Sequence, residues 1–192
     1  MEQIIVTRKD GATSYPIVSR QSFRAITSAR QSFKLLGEDV VSMTVESTDV
    51  IPFRIGDYIT VFGRMYTLNR LPEMTKAGAN RYTYNVEFEG IAYEMTRAIY
   101  ELSIDTTNNQ LQDVQGDSLT GDLHRFASVI VSNMNRVFPG KWVLGTCPES
   151  ETNDVTLSFG ESDNCLAVAQ TLCEQFNVEM DIAFNATTGI RT

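Results

Sequence analysis

Between Arg81 and Glu89 the side chains alternate without a break. Tyr82, Tyr84, Val86 and Phe88 are apolar, and Arg81, Thr83, Asn85, Glu87 and Glu89 between them are polar. A period of two places the two sets on opposite faces of an extended chain, so the segment predicts a strand with one face on a core and one in water. Val41, Met43 and Val45 alternate with Ser42, Thr44 and Glu46 in the same way, and Tyr66 and Leu68 with Met65, Thr67 and Asn69. A strand of this kind is stable only beside other strands, so the first half of the chain must contain an antiparallel sheet.

Turn residues divide these strands. Gly56-Asp57 opens one, and Gly63-Arg64 joins Tyr58–Phe62 to Met65–Leu71 as a tight hairpin. Lys76–Asn80 reads as a small polar loop, and Gly90 as a break or bulge leading into a further strand over Ile91–Leu102. Several strands at short spacing, with no helical run between them, predict a β-rich barrel or sandwich over residues 1–104. Residues 105–118 (DTTNNQLQDVQGDS) read as a linker or exposed loop.

Residues 119–192 mix periods. Leu123, Phe126, Ala127, Ile130, Met134 and Val137 recur at three- and four-residue steps, which predicts an amphipathic helix from Leu119 to the Pro139-Gly140 stop. A second helix is expected over Asp163–Phe176, with Ser162 as N-cap and Leu166, Ala169, Leu172, Cys173 and Phe176 as its buried stripe. Lys141–Leu144, Val155–Phe159 and Val178–Phe184 read as strands. The fold class is therefore α+β: a β-rich domain, then a smaller α+β segment with two amphipathic helices. The chain stops at Thr-Thr-Gly-Ile-Arg-Thr just after a turn, where an unpaired edge suggests a cut from a longer polypeptide.

Charge separates the two halves. Residues 1–104 hold 12 Lys+Arg and 12 Asp+Glu, whereas residues 105–192 hold 4 and 12 and so carry the whole net charge of −8. An acidic half disfavours nucleic-acid binding through phosphate contacts. It is either a solvated face or a surface along which nucleic acid passes without sticking. Hydrophobic residues make up 42% and charged residues 21%, an ordinary globular composition. The N-terminus has no signal-peptide pattern and no apolar run is long enough for a membrane helix, so the protein is expected to be made and kept in a cytoplasm.

A search for chemistry finds no catalytic, cofactor-binding or metal-binding residues to assign. Cys147, Cys165 and Cys173 have neither disulfide-framework nor zinc-ligand spacing and read as buried thiols. His124 is the only histidine, and Asp122, two positions away, does not face it on a helix. Glu87 and Glu89 share a strand face with Glu94 nearby, at a separation that glycosidase carboxylates use, but they read first as the wet side of a strand. Phe138–Lys141 lacks the glycine, the spacing and the Ser/Thr of a phosphate loop, and Asn185-Ala186-Thr187 is only a short sequon match.

Several stretches carry a resemblance. Leu35–Glu46 is similar to an early strand of phage and prophage tail-tip hub proteins. Phe53–Ile59 with Phe62–Leu68, RYTYNVEFEG over Arg81–Gly90, and Trp142 followed by Phe159-Gly160 and the Cys165–Glu179 stretch also resemble that family, with a leaning towards Bacteroides-type prophages. The resemblance implies a trimeric, baseplate-hub-like ring beneath the tail tube, in contact with tube and distal tail proteins. DNA would pass through without specific binding, in a virion tail assembled in the host cytoplasm, with no cofactor. Because relatives carry cell-wall-cleaving domains, the resemblance leaves a peptidoglycan hydrolase or endopeptidase segment as an alternative. The tyrosine-rich strand leaves a carbohydrate-binding module as another.

Overall fold

The structure is a computed structural model that describes residues 4–18, 23–34, 37–102, 118–148, 154–160, 162–185 and 187–192. It divides into two compact units, Met1–Ile91 and Ala92–Thr192.

The first unit is one antiparallel sheet of eight strands: β1 (Ile5–Thr7), β2 (Ser14–Pro16), β3 (Ala25–Phe33), β4 (Asp39–Ser47), β5 (Tyr58–Val61), β6 (Arg64–Thr67), β7 (Glu73–Lys76) and β8 (Tyr82–Gly90). Their order is β2-β1-β5-β6-β8-β4-β3, with β7 also on β8. The predicted alternation sets the central register: Val41 lies opposite Phe88, Met43 opposite Val86 and Val45 opposite Tyr84. These pairs share a core with Val6, Ile59, Tyr66 and Leu68 from β1, β5 and the end of the hairpin. The sheet therefore folds its apolar face onto itself, in a sandwich-like manner.

The barrel alternative does not hold. Among the described strands, β2 and β3 end the path and do not pair with each other, so the sheet stays open. Pro16 in β2 has no N–H to offer a further neighbour, which suits an edge position.

The second unit begins earlier than the sequence suggested. The strand pattern places residues 92–104 with the first domain, but Met95, Ala98 and Tyr100 belong to the core of the second. The strand expected over Ile91–Leu102 is instead a 3-10 helix, Ile91–Arg97, followed by irregular chain. The reason is periodicity: Ile91, Met95, Ala98 and Leu102 step by three and four, not by two. Residues 105–117 of the predicted linker lie outside the described residues, and Ser118 already opens a strand.

That strand, β9 (Ser118–Gly121), pairs with β10 (Val155–Ser158) and places Leu119 opposite Leu157. The first helix, α1, therefore starts at Leu123 and not at Leu119, and runs to Val137. Asp122 caps it: its backbone is extended and its carboxylate accepts from the Arg125 N–H at 2.8 Å. The second helix, α2 (Cys165–Phe176), is capped by Asn164, not by Ser162, with the side chain accepting from the Ala167 N–H at 3.0 Å. Phe126, Ile130 and Met134 of α1 meet Val168, Leu172 and Phe176 of α2 in one core. A small hairpin, β11 (Phe184–Asn185) with β12 (Ile190–Arg191), completes the unit. Only Phe184 of the strand expected over Val178–Phe184 falls within it. The strand expected over Lys141–Leu144 reduces to one parallel bridge, Trp142 to Arg191. No described helix is long and apolar enough to cross a membrane.

Candidate assembly surface

The residues with chemical potential are occupied in structural roles. Glu87 accepts from Arg70, Glu89 from the Asn69 amide, and Glu94 from both Nε and Nη2 of Arg191 at 2.8 and 2.7 Å. The three carboxylates are thus held by three different partners. His124 is exposed near the start of α1, and the nearby Asp122 carboxylate is taken by the helix N-terminus. All three cysteines are free, and no group of metal-ligating side chains occurs among the described residues. Burial pushes the Cys165 thiol up to about 11 and raises Cys173 and Cys147 as well, which favours the protonated thiol over the thiolate. Tyr84 is buried and its hydroxyl accepts from the Ile51 N–H at 3.0 Å. Tyr82 stacks on it with ring centroids 6.5 Å apart, so this strand offers no open pair of aromatic rings to a sugar.

What the first unit does present is an edge. Strand β3 has nine residues and, among the described strands, pairs on one side only, with β4. Every residue of β3 except Ile26 and Ser32 is exposed. Its free side carries backbone donors and acceptors that a further strand can use. The register slips between Ile26 and Ser28, and this bulge at Thr27 is the edge's main irregularity. Sequence reading missed β3, because an edge strand wet on both faces has no apolar alternation to betray it.

The tip of the β5–β6 hairpin is the second feature. Its two turn residues are Phe62 and Gly63, at φ 54° and 72°, one position earlier than Gly63-Arg64. Two consecutive left-handed residues make a type I′ turn, which matches the twist of a hairpin. Glycine accepts this freely; a phenylalanine is strained there. Phe62 is nevertheless 73% exposed, so burial does not compensate the strain within this chain. Arg64, next along, lies 4.6 Å over the ring of Phe33, the last residue of β3. Phe23, ahead of β3, is likewise left-handed (φ 47°) and 73% exposed. Strained, exposed aromatics at a hairpin tip and beside an open edge suit contact with another molecule.

No protein-family model matches the sequence, and no curated protein matches it. Among solved structures, the chain is similar in fold to the prophage tail protein gp18 from Listeria monocytogenes EGD-e, with a TM-score of 0.58 and 13% identity. The match covers 99% of this chain and 49% of that one, so this chain spans about half its length. At that identity the likeness is one of fold.

Proposed function

We propose that this chain is a structural component of a phage or prophage tail tip, and that its first unit assembles with copies of itself into a hub-like ring below the tail tube. The observation that carries this reading is the nine-residue open edge of β3 in a fold shared with a prophage tail protein. Strand addition at such an edge gives affinity through main-chain hydrogen bonds without a chemical site. The ring is proposed to be trimeric and to contact tube and distal tail proteins. The acidic second half fits a channel through which DNA passes without adhering. The carboxylates already engaged by Arg70, Asn69 and Arg191 do not favour a hydrolase, and incubation with peptidoglycan is expected to give no turnover.

Light scattering coupled to size exclusion tests the assembly. A trimer that grows in with concentration is expected. Proline at Ala29 and, separately, at Arg30 sharpens the test, because in an antiparallel strand one of two adjacent N–H groups faces the free side. The variant whose N–H faces outward should stay folded and lose the trimer. A monomer at every concentration would remove the ring from the proposal.

Phe62 gives a prediction with opposite signs. Phe62→Gly removes a left-handed penalty of about 1–2 kcal/mol, partly offset by the chain entropy of glycine, so the first unit should become more stable by about 0.5–1 kcal/mol. Association should weaken at the same time, by roughly tenfold or more if the ring is an anchor. Thermal melts and sedimentation equilibrium read the two effects separately. A less stable variant would show that Phe62 is not strained, and unchanged association would show that it is not an anchor.

A further inference from the structure

The first sheet has another free edge. Among the described strands β7 pairs only with β8, and its four residues are all exposed. The turn that follows shows which of its backbone groups are free. The Ala77 N–H donates to the Arg81 carbonyl at 2.8 Å, and this step continues the register of Thr75 with Thr83 and Glu73 with Asn85. Hydrogen-bonded pairs alternate along an antiparallel ladder, so the backbone groups of Glu73 and Thr75 point to β8 and those of Met74 and Lys76 point outward. Strand β3 can be treated in the same way. The Lys34 N–H donates to the Glu38 carbonyl at 2.6 Å, in register with Ser32 and Val40 and with Arg30 and Ser42. Ala29, Gln31 and Phe33 are therefore the β3 residues whose backbone groups point outward.

The side chains of the two edges are complementary. Arg30 lies opposite Ser42, Ser42 opposite Glu87, and Glu73 opposite Asn85, so Arg30 and Glu73 stand on the same wet face at opposite margins of the sheet. Both are exposed, and neither has an ion-pair partner among the described residues. On the core side Met74 lies opposite Tyr84 yet is 52% exposed, and Ala29, opposite Met43, is small. The far end of the sheet matches less well: β2 has three residues, and Pro16 brings no N–H.

We propose that β7 of one copy receives β3 of the next, antiparallel, with Ala29 opposite Met74 and Arg30 opposite Glu73. This rests on the assembly reading of the first unit and names the partner of its β3 edge. Ala29 and Met74 exchange two hydrogen bonds, and the Gln31 N–H reaches the Pro72 carbonyl. Arg30 and Glu73 then form a non-hydrogen-bonded pair, where Cα atoms are only about 4.5 Å apart and side chains meet most closely. A shift of one residue would turn the outward N–H groups of one strand to the inward residues of the other, so ladder and charge select the same register. Within one copy β3 and β7 run in opposite directions, because each neighbouring pair from β3 through β4 and β8 to β7 is antiparallel. Antiparallel joining of β3 to the next β7 therefore leaves the strands of every copy running the same way. The contact uses two different edges, is heterologous, and closes by rotation into a ring.

Sedimentation equilibrium on charge variants tests the contact. Arg30→Glu and Glu73→Arg are each expected to weaken association by roughly tenfold, and Arg30→Glu/Glu73→Arg together to restore it with the signs exchanged. Met74→Pro removes an N–H that faces the free side and should give a folded monomer by circular dichroism. A double variant that associates no better than the singles would overturn the pairing. So would loss of association in Ala29→Pro while Met74→Pro and Glu73→Arg associate unchanged, a result that leaves the β3 edge in use against some other surface. A parent protein that is a monomer at every concentration would overturn both this contact and the ring.

Discussion

Replacing Asp57 with alanine is expected to destabilise the first unit by about 3–5 kcal/mol, the cost of leaving a buried ionic network without its anion. The Asp57 side chain is 1% exposed. One of its oxygens, Oδ2, accepts from Arg8 Nη1 at 2.7 Å, from the Tyr15 hydroxyl at 3.0 Å and from the Arg54 N–H at 2.9 Å. Burial, with the Asp57 charge in second place, holds the Tyr15 hydroxyl well above its ordinary pKa. The Arg8 guanidinium also lies 5.0 Å over the Tyr15 ring. Truncation would strand a guanidinium, a phenol and a backbone donor at the junction of β1, β2 and the turn into β5. For a domain of this size, 1 kcal/mol moves the midpoint by about 4–8 °C, so the loss should exceed about 10 °C. Asp57→Asn keeps an acceptor and should lose less. Circular dichroism would follow the melt, and Trp142 emission serves as a control because the only tryptophan is in the second unit. A shift below about 3 °C would mean that the network contributes little.

The second unit has an equivalent clamp, and Arg191→Met should cost a similar ~3–5 kcal/mol there. Glu94 and Arg191 side chains are 9% and 13% exposed and meet in a bidentate pair. Arg191 also lies 5.1 Å over the Phe184 ring, so one side chain ties the 3-10 helix to the terminal hairpin. Removing it leaves the Glu94 carboxylate buried without its cation. The double variant Glu94→Leu/Arg191→Met should recover most of the loss, since an apolar pair needs no compensation. Here the Trp142 melt should move, because Trp142 bridges to Arg191. A double variant as unstable as the sum of the singles would mean that the pair is not coupled.

Where side chains alternate against a core, the fold was readable from the sequence: β4, β8 and the β5–β6 hairpin follow from Val41–Val45, Tyr82–Phe88 and the glycine at 63. The helical stripes of α1 and α2 were equally plain. Three things were not. Strand β3, AITSARQSF, buries so little that its periodicity carries no apolar signal. The start of α1 was set by the Asp122 cap, not by the apolar Leu119 that continues its pattern into β9. The clamps at Asp57 and Glu94 depend on residues far along the chain, which local spacing cannot bring together. The candidate surface was therefore visible only in part: the hairpin could be placed, but neither the left-handed Phe62 nor the open edge could.

The clamp of the second unit also orders events in time. Glu94 and Arg191 are 97 positions apart, and every strand of the first sheet precedes both. During synthesis the first unit can close once Gly90 has left the ribosome, and β-rich domains fold in milliseconds to seconds. Translation across those 97 positions takes roughly 5–20 s at about 5–20 residues per second. For that interval Met95 and Tyr100, and later Phe126, are displayed on a nascent chain that already carries a finished sheet. The second half of this protein is where a holding chaperone would act.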